Sequence, residues 1–128
     1  MGLGSSDLFL FAVCKDMLIR NQPSWRSAAY LKFIRGRPCV ITGRNDEMVV
    51  AHHVRCLGGG GTGLKPPDWL CVPLVEDLHR ELHQHGEKSF WEKYQEDPLD
   101  LVCMNMLVYL AQKPSERLAV FLSEILRS

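Results

Sequence analysis

The sequence predicts an α+β domain, mostly α, with a small central β element and one histidine-bearing helix set between N-terminal and C-terminal helices. Three observations carry that expectation. Apolar residues recur at helical spacing in segments on both sides of the chain's centre. Two short β-rich runs near the middle flank a Gly/Asn/Asp cluster. At 128 residues with 46% hydrophobic content, the chain is long enough for one real core and is not expected to divide further. The expected organisation is a single domain over residues 1–128, with N-terminal helices in 1–37, the central element in 38–86 and C-terminal helices in 87–128.

Each element has its own signal. Ser6 to Arg20 carries a helical apolar pattern with Ser5 or Ser6 as N-cap, and Asn21-Gln22-Pro23 ends it. Ser24 is placed to cap a second helix through Trp25, Ala28, Ala29, Leu31 and Ile34, stopped by Gly36 and Pro38. Cys39–Thr42 and Met48–Ala51 then suggest a hairpin around Gly43–Asp46. Gly58–Asp68 (GGGGTGLKPPD) reads as an irregular loop, and Trp69–Pro73 as a short strand. Val75–His85 is a helix closed by Gly86, with Leu74, Leu78 and Leu82 on the core side. Ser89–Gln95, Pro98–Gln112 and Ser115–Arg127 are three more helical patterns, with Pro98 and Pro114 at helix starts.

Composition excludes several classes. Disordered and collagen-like chains do not have this apolar content or these modest Gly and Pro counts. The apolar stretches Leu8–Val13 and Leu101–Leu110 fall short of the ~20 residues that span a bilayer, so no membrane partner is expected. Asp7 and the lack of a leading basic cluster argue against a signal peptide. The five cysteines are odd in number and never spaced Cys-x-x-Cys, which suits a reducing, cytoplasmic setting with most thiols buried as small hydrophobes.

The formal net charge is zero, yet the charges are segregated. Arg20 to Arg44 holds six basic residues (Arg20, Arg26, Lys32, Arg35, Arg37 and Arg44) and no acid, and Arg55 and Lys65 follow. Glu76 to Asp100 holds eight acids against Arg80, Lys88 and Lys93. Such polarity allows one face to hold a polyanion, though a solvated basic face has the same pattern. Trp25, Trp69, Trp91, Tyr30 and Phe33 read as core or groove wall rather than as base-stacking platforms.

All five histidines lie between positions 52 and 85. His52-His53 end a predicted strand, and His79 and His83 stand four apart, on one side of a predicted helix. A helical pair of this kind joined to an upstream doublet suits one divalent ion. A metal ion stabilises charge at a phosphodiester, and an unligated histidine has the pKa to activate water. His85 reads as an exposed helix-end residue.

PCVITGR, VVAHHVR, GGGGTGLKPPD, WLCVPL and LHRELHQHGEKSFW, in that order and spacing, resemble the HNH (ββα-metal) endonuclease superfamily, closest to small nucleases of phages and prophages. The resemblance covers Pro38 to Gly86 and implies a central ββα-metal element. It also implies DNA hydrolysis with His52, His79 and His83 as metal ligands and His53 as general base. Arg55, Lys65, Arg35, Arg37 and Arg44 are the candidate phosphate contacts, in largely sequence-independent DNA binding. Three imidazole ligands suit zinc, nickel, cobalt or manganese better than magnesium.

Two departures from the family pattern stand out. The positions of its structural zinc knuckles hold Cys39, Thr42, Val75 and Leu78, so no structural zinc is expected. The family's middle asparagine is absent near Asp68–Leu70, where Asp68 is either an orienting residue for the doublet or a turn residue. These departures keep open an alternative, a catalytically degenerate HNH-like module that binds nucleic acid or a protein. Leu101–Leu110 and Leu118–Leu126 read as core or as a homodimer interface, and a recombination protein is a further partner suggested by analogy.

Overall fold

A computed structural model describes residues 26–57 and 66–112. Within them the chain is α+β and mostly helical, with one small antiparallel sheet, as the sequence predicts. The predicted helices Ser6–Arg20 and Ser115–Arg127, the glycine run Gly58–Gly61, Lys65, Trp25 and Cys14 lie outside the described residues.

Helix α1 spans Ala28–Arg35 and starts later than the pattern from Ser24 suggests. The cap is Ser27, whose Oγ accepts the Tyr30 N–H at 3.0 Å while its own N–H donates to Asp68 Oδ2 at 2.8 Å. That second bond holds Ser27 extended and fixes where the helix begins. Tyr30 and Ile34 face the core, and Gly36 closes the last turn by donating to the Lys32 carbonyl.

The expected hairpin of Cys39–Thr42 with Met48–Ala51 does not form. Cys39–Thr42 is a tight turn closed by Gly43 N–H to the Cys39 carbonyl at 2.9 Å, with Gly43 at φ 76°, where glycine is favoured. Strand β1, Val49–His53, pairs instead with β2, Cys71–Val75. The register sets Val49 against Val75, Ala51 against Pro73 and His53 against Cys71. Proline is tolerated here because the sheet has two strands and both have an outer edge. On that outer edge the Pro73 carbonyl accepts the Val40 N–H, which docks the Cys39 turn.

β2 begins two residues after the predicted strand start because Asp68–Leu70 forms a 3-10 turn. Every residue of β2 is buried. Helix α2, Glu76–His85, follows β2 without a loop, and its first N–H donates to the Met48 carbonyl at the start of β1. Glu76 and Asp77 complement the positive end of the helix dipole. Leu74 and Leu82 are buried, and Leu78 is half-buried against the same core.

Gly86, at φ 87°, turns the chain into α3, Glu87–Tyr94, two residues earlier than predicted. Gln95 in the left-handed region ends it. Helix α4 covers Pro98–Gln112 as predicted, with the Asp97 carboxylate accepting the Leu99 N–H. Trp69, Tyr30, Phe90 and Trp91 belong to the core, together with Cys39, Cys71 and Cys103, whereas Cys56 is exposed. Among the described residues no helix is long and apolar enough to cross a membrane.

Leu82 is the fully buried side chain that ties α2 to the core. Leu82→Ala is expected to lower stability by about 2–5 kcal/mol, the range for a leucine cavity. Met104→Gln, at a position 42% exposed, should stay within about 0.5 kcal/mol. Urea unfolding of both variants beside the wild type checks the contrast.

Candidate metal centre

The end of β1 delivers two adjacent imidazoles in different directions, as successive strand residues must. His52 is buried and its ring centre lies 5.0 Å from that of His79 and 5.7 Å from that of His83. His79 and His83, one turn apart on α2, face each other with Nε2 atoms 3.0 Å apart. One ligand nitrogen from each of the three histidines lies within 4.8 Å of the others.

That set fits a metal ion. Tetrahedral bonds of about 2.0–2.1 Å need nitrogens roughly 3.3 Å apart, close to the His79–His83 separation. His52 is buried, His79 half-buried and His83 exposed, so protein covers one side of the cluster and solvent reaches the other. Burial and the neighbouring His52 and His83 push the His79 pKa down to about 4, which keeps its ring in the neutral, ligating form.

Glu87 was not among the residues the sequence singled out. Its Oε1 lies 2.6 Å from His52 Nε2 and accepts the Arg55 N–H at 3.0 Å, while Oε2 accepts the Cys56 N–H at 2.6 Å. Burial pushes its pKa up, but the donors from His52, Arg55 and Cys56 outweigh that and hold it at about 2. Although the residue as a whole is exposed, desolvation of its sulfur and the Glu87 carboxylate push the Cys56 thiol up to about 12. In the sequence Glu87 looks like any acid in a first helical turn.

His53 turns toward a second carboxylate. Its Nε2 is 2.8 Å from Asp68 Oδ1, and Asp68 Oδ2 accepts the Ser27 N–H. Arg26 stands 3.6 Å from the same carboxylate and donates to the Pro66 carbonyl. A carboxylate accepts, so this contact puts the His53 proton on Nε2 and the lone pair on Nδ1. Asp68 is thus both a turn residue and a partner of the doublet.

The candidate phosphate contacts within the described residues differ in their surroundings. Arg55 is exposed two residues beyond His53, and Arg35 is exposed on α1. Arg37 and Arg44 are committed elsewhere. Arg37 donates to Asn105 Oδ1 and lies over the Phe33 ring, joining α1 to α4 because Asn105 is buried there. Arg44 pairs with Asp46 through two nitrogens at 3.1 and 2.9 Å, so its charge is largely compensated. His85 is exposed at the end of α2 and is not one of the clustered histidines.

The Cys39 turn keeps a single sulfur. Burial raises the thiol's pKa, but hydrogen bonds from the Thr42 side chain and from the Thr42, Ile41 and Val75 backbone outweigh it and leave it lowered.

A family described as a protein of unknown function, DUF968, matches residues 3–109, a span that includes His52, His53, Asp68, His79, His83 and Glu87. The chain belongs to DUF968. No curated protein and no solved structure matches it. Both histidine–carboxylate contacts and the three-histidine cluster lie inside the DUF968 region.

The His79 shift has a consequence for the metal-free protein. The folded pKa lies below the ordinary value of 6.5, so the unfolded chain takes up this proton first. The stability His79 contributes is complete above pH 6.5 and is lost as pH falls toward 4. Melting temperatures at pH 7.5 and pH 5 should fall more for the metal-free wild type than for His79→Gln.

Proposed function

We propose that this DUF968 protein is a metal-dependent endonuclease of the HNH type that hydrolyses DNA phosphodiester bonds. The observation that carries the reading is the division of labour in the doublet: His52 joins a three-histidine cluster while His53 meets a buried carboxylate. A purely structural metal site has no need of the second arrangement beside the first.

His52, His79 and His83 would hold the ion, and their nitrogen donors suit zinc, nickel, cobalt or manganese better than magnesium. When bound, a divalent ion supplies Lewis-acid stabilisation of the phosphate and of the leaving 3′ oxygen. His53 takes the proton from the attacking water at Nδ1. Asp68 holds the opposite nitrogen and favours the imidazolium that results, while Ser27 and Arg26 keep Asp68 in place. Arg55 is placed to contact a flanking phosphate.

The second reading is a module that binds nucleic acid or a protein partner without cutting. The engagement of Arg37 and Arg44 favours it, because fewer cations remain to hold DNA by charge alone. Under the nuclease reading the same feature points to help from a partner, such as a recombination protein, or from a second copy of the chain.

Supercoiled plasmid incubated separately with manganese, magnesium, nickel, cobalt and zinc tests the proposal. Metal-dependent nicking is expected, and His53→Ala should reduce it by ~10²-fold or more while metal affinity is retained. Nicking that is unchanged in His53→Ala removes this residue from the mechanism. Absence of nicking with every ion, in a folded protein that binds metal, favours the binding module.

A further inference from the structure

We infer that Glu87 is the positioning residue of the three-histidine centre: by accepting the Nε2 proton of His52 it leaves Nδ1 as the nitrogen offered to a metal ion. The inference rests on the metal-binding half of the proposed function and not on cleavage.

The donors and acceptors around Glu87 fix the tautomer of its partner. His52 Nε2 and Glu87 Oε1 are 2.6 Å apart, and the Arg55 and Cys56 N–H groups point at the same carboxylate. Both backbone groups are obligate donors, so the carboxylate serves as acceptor for all three partners. In the neutral, metal-binding form of His52 the proton therefore sits on Nε2 and the lone pair on Nδ1. Glu87 itself is not among the mutually close ligand groups, which are His52, His79 and His83 alone among the described residues. Its place is behind a ligand, where a carboxylate fixes ring orientation and tautomer and raises ligand basicity.

The position is also mechanically sound. Glu87 opens α3 immediately after Gly86, two residues beyond the end of the helix that carries His79 and His83. One side chain thereby links the end of β1, the Arg55–Cys56 segment and the start of α3. Movement of α3 would be felt at His52, which packs against both histidines of α2.

Zinc affinity, measured by competition with a chromogenic chelator, should be 10–100-fold weaker in Glu87→Ala than in the wild type. Glu87→Gln should lose less, because its amide oxygen still accepts from Nε2. A structural role alone would not set the tautomer, which long-range proton–nitrogen spectra of histidine-labelled protein read directly. The wild type should show the Nε2–H form of His52 without metal and a zinc-bound Nδ1 with it. Equal affinity in the three proteins, or a wild-type His52 bound to zinc through Nε2, would overturn the inference while leaving the metal centre in place. Failure of the wild type to take up zinc, nickel, cobalt or manganese removes the centre and the inference together.

Discussion

The pairing of β1 with β2 sets the directions of the side chains at the candidate centre. It ends with His52 opposite Val72 and His53 opposite Cys71, and β2 passes into α2 without an intervening residue. A slip of one residue would exchange the two imidazoles between faces, because strand side chains alternate. His52 would then leave the pair on α2, and His53 would lose Asp68. The register is held by burial of all five β2 residues, by Glu76 N–H on Met48 at one end, and by Val54 N–H on Leu70 at the other. The hydrophobic core therefore determines the directions of the polar side chains.

Two carboxylates then convert two chemically identical histidines into different groups. Glu87 stands behind the member that faces α2, and Asp68 stands behind the member that faces away. Each carboxylate is satisfied by further donors: Arg55 and Cys56 N–H for Glu87, and Ser27 N–H with Arg26 nearby for Asp68. Glu87, held at about 2 by its donors, remains a fixed acceptor. The Ser27–Asp68 bond also sets the start of α1, so the N-terminal helix and the doublet share one anchor.

Some charges of the basic segment are tied into the fold and others are exposed. Arg37 bridges α1 and α4 through buried Asn105, and Arg44 answers Asp46 within its own turn. Arg35 and Arg55 remain on the surface. A run of cations in a sequence thus overstates the field outside the protein, since an arginine's planar fork is also a good internal linker.

Features set by near neighbours along the chain are legible before folding. The four-residue spacing of His79 and His83, the cap at Gly86, the start of α4 at Pro98 and the mostly helical α+β class are all local patterns, legible because a helix brings near neighbours together. The expected hairpin of Cys39–Thr42 with Met48–Ala51 is absent, since β-rich residues state a preference for a strand and not for a partner. Tertiary structure alone decided that Val49–His53 pairs with Cys71–Val75, that Glu87 meets His52 across 35 residues, and that Asp68 meets His53 across 15. Arg37 reaching Asn105 across 68 residues belongs with these. Such contacts have no period to betray them: they exist only once the core has closed and distant segments share one surface.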